Sequence, residues 1–177
     1  MIRPAVPEDA PSIARVFVQA WRAGYRGVVA DSVIDALNVA EWTADFHERI
    51  GRDGYATAVV TGPPDGPLLG FTRYGQDQDR PGAGYLASLY VDPESAGRGF
   101  GSQLLDYAIQ QLTGAGLAET RLWVFASNTR ARSLYERRGF TPTAERMVDP
   151  QWGAEQIRYR LGRIETSSIG VSPKNNI

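Results

Sequence analysis

One stretch constrains this chain more than any other: residues 86–105, LASLYVDPESAGRGFGSQLL. Leu86 to Val91 is an apolar run with aromatic and β-branched members, closed by Asp92-Pro93, which predicts a buried strand. Gly97, Gly99 and Gly101 then alternate with Arg98 and Phe100. Beyond them Leu104, Leu105, Ala108, Ile109 and Leu112 recur at helical spacing, with Phe100 on the same face. The pattern is a strand that runs into a glycine-rich turn opening an amphipathic helix. The first turn of a helix presents N–H groups without partners and a partial positive charge. Glycines let a bulky anion reach the main chain, so the turn is a candidate phosphate cradle. Two nucleotide motifs are excluded. A P-loop needs Gly-Lys-Ser/Thr, and the single lysine is Lys174; the dinucleotide fingerprint needs Gly-x-Gly-x-x-Gly, and position 102 is Ser.

Composition removes other classes. A chain of 177 residues has the size of one self-sufficient domain, expected here over residues 1–162. The net charge of −1 argues against a nucleic-acid partner. No apolar run reaches membrane-spanning length and the N-terminus has no apolar signal core, so no membrane partner and a cytoplasmic location are expected. With no cysteine there is no disulfide or thiolate chemistry. All basic residues but Lys174 are arginine, so the folded body offers no Schiff-base lysine. The one histidine, His47, reads as a surface residue on a polar helix face, and no metal site is expected. From Glu165 onward the sequence has no period, and residues 163–177 are expected to be a disordered tail.

In order, the chain opens with a short edge strand at Met1–Val6 and a helix beginning between Glu8 and Pro11, whose apolar face is Ile13, Val16, Phe17, Ala20 and Trp21. Gly24 and Gly27 break it. Asp31 is a candidate cap for a helix to Leu37, and another helix follows from about Val39 to Ile50. Trp21 and Tyr25 are candidate ligand-site residues, Tyr25 because it lies on a loop between glycines; Trp42 reads as core. Tyr55–Thr61 and Leu68–Tyr74 form a hairpin around a Pro/Gly-rich turn, and a polar loop leads to the organising strand. Gly114 and Gly116 end the following helix. Arg121–Ala126 is a doubly buried strand, Ser127 or Asn128 caps a short helix through Arg138, and Phe140–Asp149 pairs with Gln156–Leu161. The expected class is α/β or α+β, a mixed sheet flanked by helices.

The organising stretch resembles the coenzyme-binding motif of the GNAT superfamily of acetyl-CoA-dependent N-acetyltransferases. Tyr90, Val91 and Pro93 fit the family's strand end, and Gly99 and Gly101 fit its two glycines; Ala96 stands where the family has Arg or Gln. A second stretch, Asn128 to Phe140 (NTRARSLYERRGF), is similar to the family's Asn-x-x-Ala…Tyr-x-x-x-Gly-Phe segment. The resemblance implies a mostly antiparallel sheet of six to seven strands whose central pair splays apart, with acetyl-CoA in the gap.

It also implies roles. Backbone groups of Leu89, Tyr90 and Val91 align the pantetheine arm, with the Val91 N–H donating to the thioester oxygen. Residues Ala96, Gly97, Arg98, Gly99, Phe100, Gly101 and Ser102 surround the pyrophosphate. Asn128 hydrogen-bonds the pantetheine. Tyr135, at the motif's tyrosine, is the candidate general acid: a phenol near ~10 still holds its proton at neutral pH, against roughly 8.5 for a thiol. Tyr85 stands where many relatives place a glutamate base, so Asp31, Glu41, Glu119 or water are left as proton acceptors. The acceptor is an amine of a small molecule or a peptide N-terminus, and a homodimer is left open. A non-catalytic acyl-CoA sensor or scaffold, and transfer of a longer acyl chain, are the alternatives.

Overall fold

Apolar residues at helical spacing build the first layer. Ile13, Val16, Phe17 and Trp21 are all buried along α1 (Ala10–Gly24), with Pro11 in the first turn, where no N–H is missed. The short α2 (Asp31–Asp35) starts after Ala30, so Asp31 is its first residue rather than its cap. In α3 (Val39–Arg49) the Asn38 side chain accepts from the Ala40 N–H at 2.8 Å. The computed structural model describes residues 1–63 and 66–162; the expected tail lies outside the described residues.

Seven strands form one sheet: β1 (Ile2–Pro4), β2 (Tyr55–Thr61), β3 (Leu68–Gln76), β4 (Ala83–Val91), β5 (Glu119–Phe125), β6 (Thr141–Val148) and β7 (Glu155–Gly162). Their order is β1-β2-β3-β4-β5-β7-β6, so the organising strand β4 is central, as its apolar run predicts. Every neighbouring pair is antiparallel except β4 and β5. The two further helices are α4 (Phe100–Gly114) and α5 (Thr129–Glu136).

The helices cover opposite faces. Val59 of β2 packs in the cluster of α1 and α3, whereas its neighbours Ala58 and Val60 pack with Leu105 and Leu104 of α4. Successive strand residues point to opposite faces, so α1 and α3 lie on one side of the sheet and α4 on the other. Full burial of each of the Val and Leu side chains stabilises by about 1.5–3 kcal/mol.

Two irregularities of β4 position the site. Its pairing with β5 is limited to Ala83, Gly84 and Tyr85 against Glu119, Thr120 and Arg121, after which the two strands part. On its other edge Ser88 faces Arg73 but Leu86 faces Tyr74, so Ala87 is an extra, bulged residue. The bulge offsets the alternation by one. Leu86 consequently packs with Leu105 and Leu122 on the α4 side, and Tyr85 stays on the same face as Ser88 and Tyr90.

Candidate active site

The parting of β4 and β5 leaves main-chain groups without a ladder. The Asp92 N–H donates to the Leu69 carbonyl at 2.8 Å, which sets the parity of the β3–β4 ladder. Tyr90 and Ser88 then direct their backbone groups toward β3, and Leu89 and Val91 direct theirs into the split. On the opposite lip the Ala126 N–H donates to the Glu155 carbonyl at 2.9 Å, so Trp123 turns its N–H and C=O toward β4. Such groups need a hydrogen-bonding partner, and the amides of an extended ligand lying between the lips would supply it.

At the mouth of the split lies the glycine turn. Gly97 and Gly99 adopt φ of +80° and +85°, a conformation that favours glycine, and Gly99 caps α4. Among the described residues no protein acceptor takes the N–H groups of Gly97 to Ser102; the first to bond is Gln103, to the Gly99 carbonyl at 3.1 Å. The first turn of α4 holds no acidic residue. This is a cradle for an anion. A Cβ on Gly101 would meet Leu134, Val91 and Leu89 at 3.6, 3.7 and 3.8 Å, so the backbone here approaches the lip of β4 closely. Arg98 is exposed, its guanidinium 5.4 Å from the Phe100 ring centre.

Between the lips is a cleft of about 230 Å³. Trp21, Tyr25, Tyr85, Leu89, Tyr90, Asn128 and Tyr135 all line it, so the fold brings together residues far apart in sequence. Val91 and residues 96–102 lie outside its lining, along the path to the mouth. Two expected contributors are engaged elsewhere. The Ala96 N–H is taken by the Pro93 carbonyl at 3.2 Å, so the free run begins at Gly97. The Tyr90 backbone groups face β3 rather than the split, while its phenol accepts from the Trp21 indole at 3.1 Å and its ring packs against Phe17 and Phe71.

Tyr135 sits on α5, buried against Phe140, and no hydrogen bond within the described residues takes up its hydroxyl. Burial raises its pKa well above the usual phenol value, with the neighbouring Tyr25 and Tyr85 adding to the rise. It therefore keeps its proton at neutral pH. Burial likewise pushes Tyr85 up to about 12, against an opposing pull from Arg158. A phenol held protonated in this way cannot take a proton from an amine at neutral pH. Asn128 caps α5 by accepting from the Ala131 N–H at 3.0 Å and donates to the Tyr25 hydroxyl at 3.3 Å, joining the α1–α2 loop to the lip of the split. Burial raises the Tyr25 pKa and the Asn128 bond lowers it by less.

Asp31, Glu41 and Glu119 are not in the lining. Asp31 and Glu41 are exposed, and Glu119 pairs with Arg80 at 2.6 Å. The lining instead includes Asp149, Trp152 and Gln156, from the β6–β7 loop and the start of β7. Sequence reasoning missed them; the one signal was a tryptophan inside an otherwise polar turn. His47 is exposed, and no group of metal-ligating side chains occurs among the described residues.

A mixed sheet split at its centre, with a glycine-turned helix N-terminus at the mouth, is the arrangement that the resemblance implies for a coenzyme A-dependent acyltransferase. The model of the acetyltransferase (GNAT) family matches residues 19–140, and the chain belongs to that family. The protein is thus an acyltransferase with acetyl-coenzyme A as its co-substrate. Among its relatives, a probable N-acetyltransferase of Mycobacterium tuberculosis is 27% identical over 141 residues, 78% of either chain. The mycothiol acetyltransferase of Salinispora tropica is 31% identical over 169 residues; the match takes in 89% of this chain but spans about half, 51%, of that relative. Among solved structures, the fold is similar to the PaiA N-acetyltransferase of Thermoplasma acidophilum in complex with coenzyme A. The TM-score is 0.71 at 20% identity, over 89% of this chain and 96% of that one.

Proposed function

We propose that the protein moves the acetyl group of acetyl-coenzyme A to the primary amine of a small molecule by direct attack in the cleft. The observation that carries this is the convergence, in one split, of free backbone groups, an anion cradle and a protonated, unengaged phenol. The coenzyme supplies an activated thioester. The N–H groups of Gly97 to Ser102 hold its pyrophosphate, with the Arg98 side chain at the mouth. Leu89 and Val91 on one lip, and Trp123 with Asn128 on the other, bind and orient the pantetheine arm. The Val91 N–H polarises the thioester carbonyl. As the amine nitrogen bonds to the carbonyl carbon, the carbon–sulfur bond breaks and Tyr135 passes its proton to the departing sulfur. The amine loses its own proton to water; Tyr85 is held protonated, and Asp31, Glu41 and Glu119 lie outside the cleft lining. Trp21, Tyr25 and Tyr85 bound the space in which the acceptor waits.

Residues 1–162 form the working unit in this reading, and the reaction suits the cytoplasm, where acetyl-coenzyme A is made and used. The test is release of free thiol from acetyl-coenzyme A in the presence of a panel of amines, with coenzyme binding measured by calorimetry. Turnover with at least one primary amine is expected. Tight coenzyme binding without turnover of any amine would leave a sensor or scaffold in its place.

A further inference from the structure

The acceptor side of the cleft has a chemistry of its own. Trp21, Tyr25 and Trp152 form a continuous aromatic wall, with ring centres 4.6 Å apart for Trp21 and Tyr25 and 4.2 Å for Trp21 and Trp152. The wall is anchored from behind: Phe17 packs on Trp21 at 5.6 Å, and Phe125 meets Tyr25 edge-on at 5.1 Å. Asp149 is the single side chain with a formal charge among those lining the cleft. One of its oxygens accepts from the Gln151 and Trp152 N–H groups at 2.8 and 3.1 Å, and the other from the Gln156 amide at 3.2 Å. All three donors are neutral, so the hydrogen bonds fix the carboxylate without cancelling its charge. The second oxygen keeps a lone pair free.

Among the described residues, no side chain lining this space is cationic. Arg158 stacks on Trp123 at 4.2 Å, does not line the cleft, and is faced by Asp77 and Asp79 at 3.7 and 3.8 Å and by Glu145 at 3.5 Å. Aromatic faces attract a cation, and a fixed carboxylate attracts it further and accepts its N–H. A second carboxylate, brought in by the ligand, would meet aromatic faces and Asp149 with no cation to pair with, and would be desolvated at a cost.

We infer that the acceptor is a compact primary amine on an apolar body that bears no carboxylate, its ammonium held by Asp149 within the rings of Trp21, Tyr25 and Trp152. This deepens the acetyl-transfer reading and rests on it. Asp149 is a binding and orienting residue here; it places the amine for loss of its proton and for attack.

The experiment compares each amine with the α-amino acid that differs from it by a carboxylate: tyramine with tyrosine, and isobutylamine with valine. Thiol release is followed at saturating acetyl-coenzyme A, and quenching of tryptophan fluorescence reports amine binding directly. The amine of each pair is expected to exceed its amino acid in kcat/KM by on the order of a hundredfold. Asp149→Asn should raise the KM for tyramine about tenfold or more, with kcat changed less and acetyl-coenzyme A affinity unchanged. Trp152→Leu, which leaves the carboxylate in place, should raise the same KM. Equal use of amino acid and amine, failure to use either amine while peptides are acetylated, or an unchanged KM in both folded variants would each overturn the inference and leave acetyl transfer standing. Failure to bind acetyl-coenzyme A would overturn both.

Discussion

Tyr135 carries the sharpest expectation of any single residue. Phenylalanine at this position keeps the ring among Phe140 and Leu105 and removes only the hydroxyl, which no protein group engages within the described residues. If that hydroxyl protonates the departing sulfur, Tyr135→Phe lowers kcat by about 10²-fold, the low end for general acids because a thiolate leaves readily. Coenzyme affinity should hardly change. The pH profile adds an independent check. Burial raises the Tyr135 pKa above the free phenol value, so the donor stays protonated as pH climbs through ~10. At saturating amine, kcat should therefore show no alkaline decline up to that point. A folded variant within twofold of the parent, or a decline centred well below that pH that the variant's profile retains, would return the proton donation to water or to another group.

At the level of elements, the glycine turn and the split strand make the proposed coenzyme site. The turn was legible because its conformations exclude other residues: Gly97 and Gly99 sit at positive φ, and three alternating glycines before a helical period have few other uses. A substitution at Gly99 would strain the backbone, whereas Gly101 lies in the first turn of α4 and a Cβ there makes only ordinary contacts. Gly101→Val should therefore fold, yet place two methyl groups between the cradle and the lip formed by Leu89 and Val91. Acetyl-coenzyme A should then bind at least tenfold more weakly, about 1.4 kcal/mol, by calorimetry. Unchanged affinity would move the site elsewhere. The bulge at Ala87 was not legible, since LASLYV reads as an unbroken apolar run and nothing in its composition marks an extra residue. Asp149, Trp152 and Gln156 were hidden for another reason. They reach the cleft because β7 inserts between β5 and β6, a pairing order set by the sheet as a whole. The helices α1, α3 and α4, with strong periods, were read to within a few residues, and the short α2 lost its expected cap because Ala30 precedes it.

The whole molecule is two half-sheets hinged at a short seam. Only three residues of β4 pair with three of β5, and the seam is reinforced by buried charge. Asp77 is 4% exposed, accepts from Arg121 at 3.1 Å and faces Arg158 at 3.7 Å; Arg121 in turn reaches Glu145 on β6 at 3.0 Å. The loop after β3 is thereby tied to β5, β7 and β6 across the closed end of the split. Replacing Asp77 would leave Arg121 and Arg158 buried with only more exposed or more distant carboxylates for partners, which costs more than the pair contributed. Asp77→Asn should lower stability by about 3 kcal/mol, read as a fall in the urea midpoint at unchanged slope. A loss below about 0.5 kcal/mol would mean that Glu145 and Glu119 hold the two arginines unaided.

The unladdered lips have one more consequence. Central strands of a sheet ordinarily show the slowest exchange of amide protons with solvent, and edge strands the fastest. Here the amides of Leu89, Val91 and Trp123 face the split in the middle of the molecule, while those of Ser88 and Tyr90, on the same strand, are bonded to β3. A deuterium-labelling map of the free protein should therefore alternate fast and slow along β4, and on the proposed binding mode the fast positions should fall silent once the coenzyme's own amides complete the sheet.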